Sequence, residues 1–256
     1  MTSEVVTINH LKKIYGKPNE KQYEALKDIS FAVHEGEFVG IMGPSGSGKT
    51  TLLNMISALD TPTSGELHIA GENIVNLTEN QLSDFRADKI GFIFQDFNLL
   101  ENLTMRQNIG LPLSLQGVSA KKIDKQVERI ASRLGIKEIL DNYPTEVSGG
   151  QKQRVAAARA LIHQPNLLLG DEPTGALDSK NAKNMLEALR DLNVKDNTTI
   201  LMVTHDPMSA SYCKRILFIR DGIIFKEIER KDGQQAFYEE ILSILSHVDF
   251  SSESQV

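Results

Sequence analysis

The spacing of apolar residues changes twice along the chain, and the changes divide it into three stretches. Residues 5–8, 25–33 and 38–42 read as strands. The last of these is a short apolar run with no polar alternation, the pattern of a strand buried on both faces. It runs straight into a glycine-rich turn and then an apolar-patterned helix over 49–59, and residues 65–70 and 90–94 read as further strands. From 103 to 163 the pattern turns helical. There Ile123, Val127, Ile130 and Leu134 recur at helical spacing with lysine and glutamate between them.

Beyond that stretch, strands and helices alternate. The pattern predicts strand 167–171, helix 179–193, strand 198–204 and strand 215–220, with Asp221-Gly222 as a hairpin turn. Such alternation predicts a largely parallel sheet covered by helices, here carrying a helical insert. The tail, 233–256, reads as a separate amphipathic helix on Phe237, Ile241, Leu245 and Val248, ending in polar, frayed residues 251–256.

A chain of 256 residues, 40% hydrophobic and 24% charged, has room for one large α/β domain or two small ones. A formal net charge of -6 argues against a nucleic-acid-binding surface. It does not argue against nucleotide binding, because a phosphate cradle is built mostly from backbone N–H groups. The one cysteine, Cys213, forms no internal disulfide framework, which fits a reducing cytosol. It is expected to be a half-buried small residue rather than a reactive thiol. No apolar run approaches the roughly 18 residues of a membrane span, and residues 1–9 lack a basic start followed by an apolar core. Any membrane role is expected to come through a partner.

Gly43-Pro44-Ser45-Gly46-Ser47-Gly48-Lys49-Thr50 places glycine, four free positions and then Gly-Lys-Thr between a predicted strand and a predicted helix. That is the phosphate-binding loop in its required context. The glycines let the backbone wrap phosphate, N–H groups from Gly46 to Lys49 point inward, and the helix N-terminus adds its partial positive charge. Lys49 is expected to reach the β- and γ-phosphates, Thr50 to ligate Mg²⁺, and Thr51 to bond the α-phosphate. Leu167-Leu168-Leu169-Gly170-Asp171-Glu172 is an apolar strand ending in two acids. Alone this is a common surface feature. Beside a phosphate loop, Asp171 becomes a candidate Mg²⁺ holder and Glu172 a candidate general base for the attacking water. Thr204-His205-Asp206 follows another apolar strand, which makes His205 a candidate γ-phosphate sensor. Parallel strands gather ligands at their C-terminal ends, so Gly43, Asp171 and His205 are expected to converge.

Val147-Ser148-Gly149-Gly150-Gln151-Lys152-Gln153-Arg154 is chemically a helix N-terminus capped by serine, a second anion site in one chain. This stretch resembles the signature motif of ABC ATPases. Further matches fall in family order across almost the whole chain. Tyr15 sits at the place of the aromatic ring that stacks on adenine. Gln95, in Phe94-Gln95-Asp96, resembles the Q-loop, which touches Mg²⁺ and water and faces the membrane partner. Gly175-Ala176-Leu177-Asp178 resembles the D-loop, with Asp178 at the nucleotide interface, and His205 the H-loop. Val147 stands where leucine is commoner and Gly170 where alanine is commoner; both keep the apolar or small character.

The resemblance implies an α/β fold of the P-loop NTPase class. It would be a cassette with a RecA-like core, an antiparallel β subdomain and a helical subdomain at about 96–165 within a domain spanning 1–232, followed by the 233–256 tail. It implies ATP and Mg²⁺ as ligands. It also implies a head-to-tail dimer in which each ATP lies between one copy's phosphate loop and the other's Ser148-Gly149-Gly150, with Gln151 behind them. Asn98-Leu99-Leu100, Gly170 through Lys180, Val203 through Pro207 and Ala210-Ser211-Tyr212 resemble the branch of macrolide-export and lipoprotein-release ATPases. Within it, Phe92 through Asn98, Gly175 through Lys180 and the C-terminal helix with Phe237-Tyr238 resemble the ATP-binding subunits of bacitracin-type antimicrobial-peptide resistance transporters. That branch implies a permease with an extracellular domain, a sensor kinase nearby, and a place on the cytoplasmic face of the membrane through the permease.

Two other readings compete. Soluble ABC ATPases of DNA repair or ribosomes usually carry long coiled-coil or zinc inserts, or two cassettes in one chain, and none of these is visible here. A small-molecule kinase leaves Ser148-Gly149-Gly150-Gln151 unexplained. The tail helix is expected to pack on its own cassette, with contact to a partner or second copy as the sharper alternative.

Overall fold

The structure, a computed structural model, describes residues 3–17 and 21–252, with side chains to 247. The strands are β1 (Glu4–Tyr15), β2 (Tyr23–His34), β3 (Phe38–Met42), β4 (Ser64–Ile69), β5 (Glu72–Asn73), β6 (Ile90–Ile93), β7 (Leu167–Asp171), β8 (Ile200–Val203), β9 (Arg215–Arg220) and β10 (Ile223–Glu229). The helices are α1 (Lys49–Ile56), α2 (Glu79–Lys89), α3 (Met105–Leu115), α4 (Ala120–Arg133), α5 (Gly149–Leu161), α6 (Ser179–Asp196), α7 (Pro207–Ala210) and α8 (Gln234–Ser252).

The strands lie in the order β5-β4-β1-β2-β10-β9-β3-β8-β7-β6. From β9 to β6 all neighbours are parallel. The β5-β4-β1-β2 layer is antiparallel. A single parallel rung, Ile223 to Asp28, joins the two. The apolar run of β3 explains the core. Phe38 and Met42 face one hydrophobic cluster while Val39 and Ile41 face the other. The first cluster takes in the helical insert, α6 and α8; the second takes in α1, α2 and the antiparallel layer. With side chains alternating at a period of two, a strand sandwiched between two such layers has no polar face to show.

Several elements differ from the sequence pattern. Strand β1 runs on past residue 8 because it is bulged: the pairing shifts between Ile8 and Leu11, and His10 has a left-handed φ of 50°. A bulge resets the alternation, so the second half reads as noise. Helix α1 stops at Ile56 rather than 59, where Ala58 turns left-handed at φ 56°. Helix α2 and strand β5 have no counterpart in the predicted elements, while β10 is the second arm of the hairpin that turns at Asp221-Gly222. Cys213 is fully buried rather than half-buried, and burial pushes its thiol pKa far up.

In the insert, α3 and α4 pack with α5 through Met105, Ile109, Val127, Ile130 and Val155, all buried. Buried Asn108 holds the preceding loop by donating to the carbonyls of Leu100, Leu103 and Thr104. In α8, Phe237, Ile241 and Ile244 are buried against the cassette's own core. The side chain of Val248 and residues 253–256, which the tail reading includes, lie outside the described residues.

Candidate active site

Strand β3 ends at Met42, and the chain leaves the sheet at Gly43, where a Cβ would lie 2.0 Å from the Ile219 carbonyl oxygen. Only glycine fits. The turn continues through Gly46 (φ 76°) and Gly48 (φ 105°), both left-handed. Gly48 caps α1 with no side-chain hydrogen bond, so the first N–H groups of this helix have no side-chain acceptor. The buried Ser47 hydroxyl has no partner among the described residues either. A buried polar group left unpaired costs about 1–3 kcal/mol, and a phosphate oxygen is the kind of group that would relieve it. Lys49 is 8% exposed, and its Nζ donates to the carbonyls of Gly43 and Pro44, each at 2.8 Å. Burial lowers its pKa, while nearby Glu172 and Asp171 act in the opposite direction.

The C-terminal ends of the parallel strands converge as expected. Register aligns Ile41 with Val203, Val203 with Asp171, and Gly170 with Ile93. Asp171 is half-buried; desolvation raises its pKa, Glu172 adds to the rise and Lys49 opposes it. Glu172 sits at a left-handed φ of 45°, its N–H donating to the Val203 carbonyl at 2.9 Å. Its Oε1 lies 2.7 Å from Nδ1 of His205. Gln95 follows β6, and its amide packs against Gly175, where a Cβ would come within 3.1 Å. Gln95, Glu172, Gly175 and His205 share a cavity of about 950 Å³ with Tyr212 and Tyr238.

Neither 43–51 nor 148–151 lines that cavity. Ser148 instead caps α5. Its Oγ accepts from the Gln151 N–H at 3.3 Å, while Gln151 Oε1 accepts from the Ser148 N–H at 2.9 Å. Gly150 lies against Asn181, leaving no room for a Cβ, and Asn181 donates to Asp178 at 2.6 Å. Tyr15 ends β1 near Thr51, which follows the phosphate loop, and the residue is 39% exposed. Its hydroxyl donates to Asp60 at 2.9 Å, and the Lys13 ammonium sits 4.8 Å from the ring centroid. Burial, helped by Asp60, raises the phenol pKa, and Thr51 beside it works the other way.

Thr50, Asp171 and Gln95 offer hard oxygen donors. Among the described residues no group of three or more His, Cys, Asp or Glu is arranged to hold a metal ion. Such a donor set suits Mg²⁺, which takes one or two carboxylates and completes its shell with water and substrate phosphate.

The model of the ABC transporter family matches residues 26–175. The chain belongs to the ABC transporter family, as one of its ATP-binding proteins. It is 52% identical over 244 residues to the ABC transporter ATP-binding protein YxdL of Bacillus subtilis, covering 95% of this chain and 94% of the relative. It is 49% identical to the bacitracin export ATP-binding protein BceA of Halalkalibacterium halodurans, covering 93% and 94%. Among solved structures it resembles the dimeric post-hydrolysis ATP-binding cassette MJ0796 of Methanocaldococcus jannaschii, bound to ADP and Pi, with TM-score 0.80 and 39% identity over 89% of this chain and 99% of that one. The fold is the ABC cassette and the activity is that of an ATPase.

Sequence reasoning missed three side chains that hold this site. Arg159 on α5 donates to the carbonyls of Phe97 and Asn98, two consecutive left-handed residues just after Gln95. Gln153 on α5 donates to the Pro173 carbonyl, and Ser209 links Thr174 to Asp206. The apolar spacing of α5 carried no mark of Arg159 or Gln153, nor did the four-residue α7 mark Ser209, since a buried polar side chain looks like a surface one until its helix is placed.

Proposed function

We propose that this ATPase powers a separate permease that exports, or protects against, bacitracin-type antimicrobial peptides. Two copies would clasp ATP head to tail. What supports the dimer reading is the Ser148-capped start of α5, a second helix N-terminus suited to an anion in a chain whose phosphate loop already supplies one. In a head-to-tail pair that second N-terminus would face the nucleotide held by the other copy. The dimeric state of the MJ0796 cassette supports this.

In this reading the 46–49 N–H groups and Lys49 hold the β- and γ-phosphates, and Tyr15 stacks on adenine. Glu172 accepts the proton of the attacking water. His205, donating to Glu172, orients that carboxylate and faces the γ-phosphate. Thr50, Asp171 and Gln95 would hold Mg²⁺, which when bound neutralises charge on the transferring phosphoryl group. ATP favours the closed pair because only there does it touch both copies. Among the described residues no helix is long and apolar enough to cross a membrane. We assign the permease to the groove of about 710 Å³ beside Gln95, lined by Phe92, Phe94, Leu111, Leu115 and Arg159. Leu115 is left 81% exposed there, which suits an apolar partner helix. Similarity to the bacitracin export ATP-binding protein supports the peptide substrate class; a permease with an extracellular domain and a sensor kinase in the same system are proposed along with it.

Ser148→Arg tests the pairing. Nucleotide binding by the monomer should persist while ATP-dependent dimers, followed by light scattering, disappear. Retained dimers would contradict the trans role. Loss of the gene should lower resistance to bacitracin-type peptides; unchanged resistance across a peptide panel would remove that substrate class.

A further inference from the structure

We propose that Gln153 is a positioning residue: through Pro173 it ties the helix that begins at Ser148 to the segment carrying Glu172 in the same chain. Gln153 is fully buried at 0% exposure. Its Nε2 donates to the Pro173 carbonyl, and its Oε1 has no partner among the described residues, so the donor end is its polar anchorage. Pro173 directly follows Glu172. The turn that presents Glu172 is otherwise held within the core, by the Glu172 N–H donating to Val203 and by the Gly175 N–H donating to the Glu172 carbonyl. Gln153 reaches the same turn from the helical insert.

The position along α5 gives this bond its meaning. Ser148 and Gln153 are little more than one helical turn apart, and α5 is unbroken between them. The inference rests on the reading that the Ser148 turn meets a nucleotide held by a second copy. Seating that turn then fixes the first coils of α5, and Gln153 passes the constraint to Glu172 of its own chain. One side chain so couples the anion site a copy lends to its partner with the general base it keeps.

The test uses the full chain. Gln153→Leu removes the donor at similar volume. It should lower kcat at least about tenfold, as a displaced base does, and leave KM for ATP within about twofold. Gln153→Glu carries the sharper signature. Only its protonated carboxyl has an O–H to donate to Pro173, and burial favours that form. The ratio of its kcat to that of the wild-type protein should therefore rise as pH falls. A role in packing alone gives a flat ratio. Wild-type kcat in Gln153→Leu, or a flat ratio in Gln153→Glu, overturns the proposal; the second reading needs only the folded isosteric variant. ATP-driven dimerisation is measured in parallel in a Glu172→Gln background. No dimer there would sink the proposed pairing, whereas dimers with an unchanged kcat in Gln153→Leu would sink the Gln153 role alone.

Discussion

The imidazole of His205 donates from Nδ1 to Oε1 of Glu172 across 2.7 Å, joining the ends of two adjacent parallel strands. The carboxylate is mostly enclosed, at 22% side-chain exposure, while the histidine is open, at 69%. The acid is thus held by a more exposed group. Glu172→Gln keeps an acceptor for His205 and removes the base. Turnover, followed by phosphate release, should fall by about 10²–10⁴-fold while ATP binding persists and dimers accumulate. A wild-type rate would remove Glu172 from that role.

Lys49 anchors the loop it belongs to, through Gly43 and Pro44, and faces the charges of Asp171 and Glu172. Lys49→Ala should weaken ATP binding at least about tenfold, the worth of one charge-assisted hydrogen bond of roughly 1.5–3 kcal/mol, and lower turnover with it. Titration with a fluorescent ATP analogue checks this; an unchanged Kd would mean that the lysine only shapes the loop.

Asp171 gives a prediction of opposite sign for stability and function. Its pKa is raised on folding by desolvation and by Glu172. A carboxyl raised in this way favours its protonated form in the folded state. Its stabilising contribution is present below the unfolded-state value and is lost as pH rises through the folded one. At neutral pH the ionised side chain therefore strains the nucleotide-free protein. Asp171→Asn should raise the melting temperature at pH 7, with a gain that shrinks as pH drops into the carboxylate range, and should still abolish most ATP turnover. A melting temperature lowered at pH 7 would contradict the desolvation account.

What the residues revealed in advance, and what they hid, follows from how each element is stabilised. Strands β3, β7 and β9 were legible to the residue, because burial on both faces writes an unbroken apolar run. The phosphate loop was legible because backbone geometry there admits only glycine. Helix α2 was hidden: Leu82 and Phe85 alone are buried among charged neighbours, although Thr78 and Gln81 form a capping box that marks its start. Strand β10 was announced only by its hairpin turn, Asp221-Gly222, since most of its residues lie at the surface and its register is set by pairing with β9. Tyr15 sat beyond the bulge at His10, so its place on a strand near Thr51 emerged only in three dimensions.

The phosphate loop also lies across the seam between the two kinds of sheet. Gly222, at the β9–β10 turn, donates to the Ser47 carbonyl and accepts from the Lys27 N–H, while Gly48 presses against the Ala25 carbonyl. With one ladder rung joining the layers, the loop is a rivet driven through both plates. A bound triphosphate would tighten that rivet and draw the two plates together at the loop.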